Sequence, residues 1–132
     1  MSHEFLQPPG WATPKGYSNG VVASGRQVYL AGQIGWNESQ QLVSSAFAGQ
    51  FRQALQNIVT LLAQAGGRPE HLVRLTWFVT DLDEYRAEVK DIGAAYRDVI
   101  GRHYPPMSVV QVAGLVEHGA KVEIEATAVV PE

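Results

Sequence analysis

Two neighbouring stretches decide the fold. They are Phe47-Ala48-Gly49-Gln50-Phe51-Arg52-Gln53-Ala54-Leu55-Gln56-Asn57-Ile58-Val59-Thr60-Leu61-Leu62-Ala63-Gln64-Ala65-Gly66-Gly67 and Leu72-Val73-Arg74-Leu75-Thr76-Trp77-Phe78-Val79-Thr80. In the first, Phe47, Phe51, Leu55, Ile58, Leu62 and Ala65 recur at spacings of four, four, three, four and three, the period of a helix with one apolar face. Ser44 or Ser45 is placed to cap its start, and Gly66-Gly67 supplies a left-handed stop. Pro69-Glu70-His71 turns the chain, and the second stretch, rich in Val, Trp, Phe and Thr, reads as a strand.

Working outward, a second helix is expected over about Asp83–Ile100. Its stripe is Tyr85, Val89, Ile92, Tyr96, Val99 and Ile100, with Asp83 as its cap and Gly101 as its end. Pro105-Pro106 then breaks the chain. Ser108–Leu115 and Lys121–Val130 read as two strands around the turn at Glu117-His118-Gly119. Towards the N-terminus, Tyr17–Ala23 and Gln27–Ile34 read as a hairpin turning at Ser24-Gly25, with Gly32 and Gly35 flanking its end. Residues 1–16, punctuated by Pro8, Pro9, Gly10, Pro14 and Gly16, read as an extended arm. The order ββαβαββ predicts an α+β fold in a single domain over 1–132, one sheet with both helices on one face.

That leaves the other face of the sheet bare. In the last strand Val122, Ile124, Ala126, Ala128 and Val130 share one side, opposite Glu123, Glu125, Thr127 and Val129. In Leu72–Thr80, the period sets Val73, Leu75, Trp77 and Val79 against Leu72, Arg74, Thr76 and Phe78. With 10 Lys+Arg and 13 Asp+Glu, charged residues make up 17% of the chain, against about 25% in an ordinary soluble domain. So lightly charged a surface points to self-association, with the bare sheet face meeting other copies of the chain.

Several function classes lose support. A formal net charge of -3, with basic residues spread singly, gives no footprint for nucleic acid or an anionic membrane. No apolar run approaches the ~20 residues of a membrane span, and Met1-Ser2-His3-Glu4 lacks the pattern of a signal peptide, so a cytoplasmic location is the default. Without cysteine there is no disulfide, thiolate nucleophile or Cys-bound metal. His3, His71, His103 and His118 lack metal-ligand spacing, and no dinucleotide-binding or Walker-type glycine motif occurs, so neither a metal nor a nucleotide cofactor is expected. His103, beside Tyr104 and the Pro-Pro break, reads first as a cation at a helix C-terminus.

What remains is Glu123 with Glu125, two carboxylates about 7 Å apart on one strand face, a pairing suited to acid–base work or simply to a solvated face. Tyr17, at the mouth of the first strand, is placed to offer a hydroxyl to a pocket or to pack as an ordinary strand aromatic.

These pieces combine. Gly16-Tyr17-Ser18-Asn19-Gly20, Leu30-Ala31-Gly32-Gln33-Ile34, Phe51 to Asn57 and Phe78-Val79-Thr80-Asp81-Leu82 are followed by Tyr104-Pro105-Pro106-Met107-Ser108 and Val122-Glu123-Ile124-Glu125-Ala126. In this series the chain resembles the RidA (YjgF/YER057c/UK114) family of reactive-intermediate deaminases from about residue 15 to residue 130. The resemblance implies a chorismate-mutase-like fold, a homotrimer whose sheets form a central barrel, and ligand pockets at the subunit interfaces. It implies cofactor-independent hydrolysis of imines and enamines to ammonia and a 2-oxo acid. Tyr17 and Gly32 match pocket positions, and Glu123 matches the water-holding glutamate.

Three substrate-binding positions depart from that pattern. Ala31 stands where a small hydroxyl residue is usual, and Val109 replaces a common cysteine. Met107 replaces the arginine that grips the substrate carboxylate. Arginine holds a carboxylate through paired charge-assisted hydrogen bonds, whereas the methionine thioether offers no donor. The expectation is therefore a divergent member that binds, and hydrolyses if it is an enzyme, a small imine, enamine or carbonyl compound other than an ordinary 2-imino acid. Lys90 or Arg102 is a candidate substitute cation. The alternative is a non-catalytic binding or sensor trimer; ribonuclease activity ranks last because the chain offers RNA little positive charge.

Overall fold

The computed structural model describes residues 3–132. Met1 and Ser2 of the expected arm lie outside the described residues. The rest of the arm carries a short strand, β1 (His3–Leu6), that pairs antiparallel with β2 (Gly20–Ala23). The expected hairpin between the first two predicted strands does not form. Gly25, at φ +145, packs against the Val130 carbonyl and turns the chain out of β2. The following strand, β3 (Arg26–Gln33), then pairs with β6 (Val122–Val130) instead.

The main sheet has the order β3-β6-β4-β5, where β4 is Leu72–Val79 and β5 is Met107–Gln111. β4 runs antiparallel to β6 and parallel to β5. The last two predicted strands are thus not neighbours: β5 lies beyond β4, joined to it by a helical crossover, and stops short of the expected Leu115.

Helix α1 (Phe47–Gln64) follows its predicted stripe, with Phe47, Phe51, Leu55, Ile58 and Leu62 fully buried against the sheet. At its end Gly66 takes φ +77. The amides of Gly66 and Gly67 bond the carbonyls of Ala63 and Leu62, the double closure that a left-handed glycine allows. Its N-cap is Ala46 rather than a serine; the Ser44 hydroxyl accepts from the Ala46 amide instead of capping the helix. Glu88, forty residues further along the chain, accepts from the Ala48 amide at 3.2 Å and so places a carboxylate at the positive end of α1.

That same Glu88 interrupts the second predicted helix, which is α2 (Leu82–Ala87) followed by α3 (Val89–Val99). Asp81, not Asp83, is the cap: its carboxylate accepts from the amides of Asp83 and Glu84. A bulge between Leu72 and Arg74 also turns Leu72 into the core and Val73 out of it, reversing the strict alternation read from the sequence.

The core lies between the helices and one sheet face, built from Leu75, Trp77, Val79, Val122, Ile124 and Ala126 with the α1 stripe. The buried Gln50 ties its edge together. Its amide donates to the Ser44 and Gly119 carbonyls, and its carbonyl accepts from the Lys121 amide. The opposite sheet face is open, with Tyr29 71% and Val110 42% exposed. Among the described residues no helix is long and apolar enough to cross a membrane.

Candidate functional site

Between α3, the β4–β5 edge and the end of the arm lies a cleft of about 460 Å³. The break at Pro105-Pro106 starts β5 at its wall, so Met107 and Val109 line it, in register with Leu75 and Trp77 on the helix-facing side. Tyr17 is brought in from the arm. Its neighbour Ser18 donates through its hydroxyl to the Tyr104 carbonyl and through its amide to the Pro105 carbonyl.

The floor is aromatic. Trp77 lies against Phe51 with ring centres 4.7 Å apart, and Tyr96 stacks on Tyr104 at 5.3 Å and 12°. The Tyr96 hydroxyl donates to the His103 carbonyl at 2.7 Å, and burial, with Tyr104 beside it, holds that hydroxyl protonated far above its ordinary range.

The remaining predicted site residues lie elsewhere. Glu123 pairs with Phe78 and Glu125 with Thr76, on the open face of the sheet. Ala31 and Gly32 fall at the irregularity of β3 between Leu30 and Gln33. Gly32 is there for a steric reason: a Cβ at that position would overlap the Glu123 carboxylate. Within one chain, then, Glu123 with Gly32 and Tyr17 with Met107 and Val109 form two separate groups. Ala31 and Gly32 lie on β3 and Met107 and Val109 on β5, the two edges of the sheet, whereas Glu123 lies on the interior strand β6 and Tyr17 on the arm.

Neither candidate substitute cation borders the cleft. Arg102 lines a neighbouring groove with His103, and the basic residues that do border the cleft are Lys15 and Arg97. His103 is not the expected cation either. It is half-buried, its ring Nε2–H donates to the Leu72 carbonyl at 2.8 Å, and burial holds its pKa below the ordinary value. Among the described residues no group of three or more His, Asp and Glu is gathered to hold a metal ion.

Sequence reasoning missed Trp77, Tyr85, Tyr96, Tyr104, Lys15 and Arg97 as cleft residues. The stripe Tyr85, Val89, Ile92 and Tyr96 is legible as core, and its spacing alone does not show that these residues also border a cleft.

The comparisons agree with this architecture. Residues 10–130 match the family described as endoribonuclease L-PSP. The chain is 33% identical to human 2-iminobutanoate/2-iminopropanoate deaminase over 122 residues, covering 92% of this chain and 83% of that protein. A Rid-family protein of unknown function from Yersinia pestis, YyfB, superposes with a TM-score of 0.87 at 30% identity, covering 98% of this chain and 100% of that one. The YjgF gene product of Escherichia coli superposes with a TM-score of 0.68 at 34% identity, covering 86% and 87%. This chain belongs to the endoribonuclease L-PSP family, the same grouping as RidA and YjgF.

Proposed function

We propose that residues 1–132 form one domain, and that three copies assemble into a homotrimer binding a small imine, enamine or related carbonyl compound in pockets shared between subunits. The observation that carries this reading is the separation of the two groups within one chain, Glu123 beside Gly32 on the open face and Met107 with Val109 on the helix-facing side of the edge strand β5. A ring of copies that sets the β3 edge of one against the β5 edge of the next brings Ala31, Gly32 and Glu123 to the neighbour's Tyr17, Met107 and Val109. The same ring covers the open sheet face.

In such a pocket Glu123 is the catalytic residue. Its carboxylate takes a proton from a water molecule as the water oxygen bonds to the imine carbon, and the electron pair of the C=N bond moves to nitrogen, which is protonated. Collapse of the resulting carbinolamine returns a C=O group and expels ammonia; an enamine enters the same path after protonation at carbon. The proton that Glu123 accepts from water is the one it returns to the nitrogen, and kinship with named imine deaminases supports the chemistry.

Met107 sets the substrate. A carboxylate brought against it sheds water and meets no donor, so short 2-imino acids turn over poorly. The test is ammonia release from freshly generated 2-iminobutanoate in competition with semicarbazide. The reading predicts slow release, lost in Glu123→Gln; rapid release would overturn the role given to Met107, and activity surviving in the variant would overturn that of Glu123.

One observation favours a second reading, a non-catalytic binding or sensor trimer: the apolar cleft wall at Met107 and Val109 suits an uncharged ligand. A ligand that co-purifies, with no turnover of any imine, would select it. Imine chemistry stands ahead of RNA cleavage because the chain carries a net charge of -3.

A further inference from the structure

The cleft combines two features that no residue at position 107 explains. Its interior is ringed by Tyr17, Trp77, Tyr85, Tyr96 and Tyr104, and the charged residues bordering it, Lys15 and Arg97, are both basic. Among the described residues no acidic side chain lines it, although the chain as a whole carries a net charge of -3. Arg97 and Lys15 take part in none of the ion pairs among the described residues; Asp98, next along α3, is already engaged by Arg52 at 3.0 Å. Gly93, one turn before Arg97 and also on the cleft, makes room for it: a Cβ there would lie 3.3 Å from the Arg97 Nη1. The guanidinium thus borders the same cleft as these aromatic rings and forms no ion pair among the described residues.

We propose that Arg97 is the anchor of an anionic ligand in this cleft, and that the ligand joins a flat apolar body to a carboxylate. The proposal rests on the reading that the cleft is the ligand half of the site. The body stacks in the aromatic ring and against Met107, which needs no charge to hold it. The carboxylate meets Arg97, which presents paired donors, with Lys15 adding charge at the rim. Because the anchor stands on α3 rather than on β5, the carboxylate is spaced away from the Met107 wall. The cleft selects a longer arylalkyl acid over a short 2-imino acid.

Binding of 3-phenylpropanoate and of its neutral isostere 3-phenylpropanamide, by calorimetric titration, tests this. The wild type is expected to favour the carboxylate by about tenfold or more. R97Q is expected to lose that preference while binding the amide as before, and R97K to restore part of it. Arg97 is exposed, so the variants keep the fold, which circular dichroism checks. Equal binding of the two compounds by the wild type, no binding of either, or an unchanged preference in R97Q overturns the proposal. The readout is binding alone. Absence of imine turnover therefore sinks the hydrolytic reading and leaves this one standing, and an unselective cleft sinks this one whatever the turnover.

Discussion

Met107 and Glu123 stand on opposite faces of one sheet. Met107 is level with Leu75 and Ala126, on the side packed by helices, whereas Glu123 is level with Phe78 and Val110, on the open side. No rotamer brings the two side chains of one chain into one pocket. If both contact the same ligand, they do so from different subunits.

Met107→Arg restores a bidentate partner for a carboxylate beside the reacting carbon. It should raise kcat/KM for 2-iminobutanoate about tenfold or more, mainly by lowering KM. Stopped-flow competition with semicarbazide measures this, and an unchanged value would mean that the residue at 107 does not meet the substrate carboxylate.

Gly32→Ala puts a methyl group where the Glu123 carboxylate lies. The backbone at Gly32 is outside the left-handed region, and the obstructing atoms belong to a side chain that can swing away. The expected result is turnover reduced towards that of Glu123→Gln, with a Tm within a few degrees of the wild type. Full activity with a displaced carboxylate would contradict the role given to Glu123.

Gln50→Leu removes three hydrogen bonds inside the core and strands the carbonyls of Ser44 and Gly119 and the amide of Lys121. Leucine fits the volume but meets none of these needs. The cost is about 2–4 kcal/mol, read from denaturant unfolding of the assembled protein.

Acid should weaken the fold through His103 and His71. Burial lowers the pKa of each below its ordinary 6.5. For His103 this outweighs the hydrogen bond to Leu72 and the nearby Glu70, and His3 and His71 push the same way. His71 also accepts from the Arg68 amide through Nδ1, which a protonated ring cannot do. The unfolded chain therefore takes up protons first. Stability is complete above about pH 6.5 and falls as pH drops below that value towards the folded-state pKa. A Tm series from about pH 7 to about pH 5 should decline, and His103→Gln should decline less steeply.

How far the sequence reached differs between fold and site. The α1 stripe and its glycine stop are local patterns, and they formed as read. The pairing partners were not legible, because Gly25 breaks the apparent hairpin through contact with Val130, more than a hundred residues away. The Leu72 bulge and the cap at Asp81 turn on one-residue shifts that periodicity does not resolve. Motif order brought out Tyr17, Gly32, Met107, Val109 and Glu123. The separation of these residues onto two faces of the sheet depends on strand order and register, and the cationic wall at Arg97 depends on how α3 packs beside β5 and the arm.

The claim that one chain supplies only part of each site is tested most directly by mass in solution. Sedimentation equilibrium should give three times the 14.4 kDa of the chain, unchanged on dilution through the micromolar range. A 14.4 kDa monomer would leave Met107 and Glu123 apart on their two faces and contradict the account.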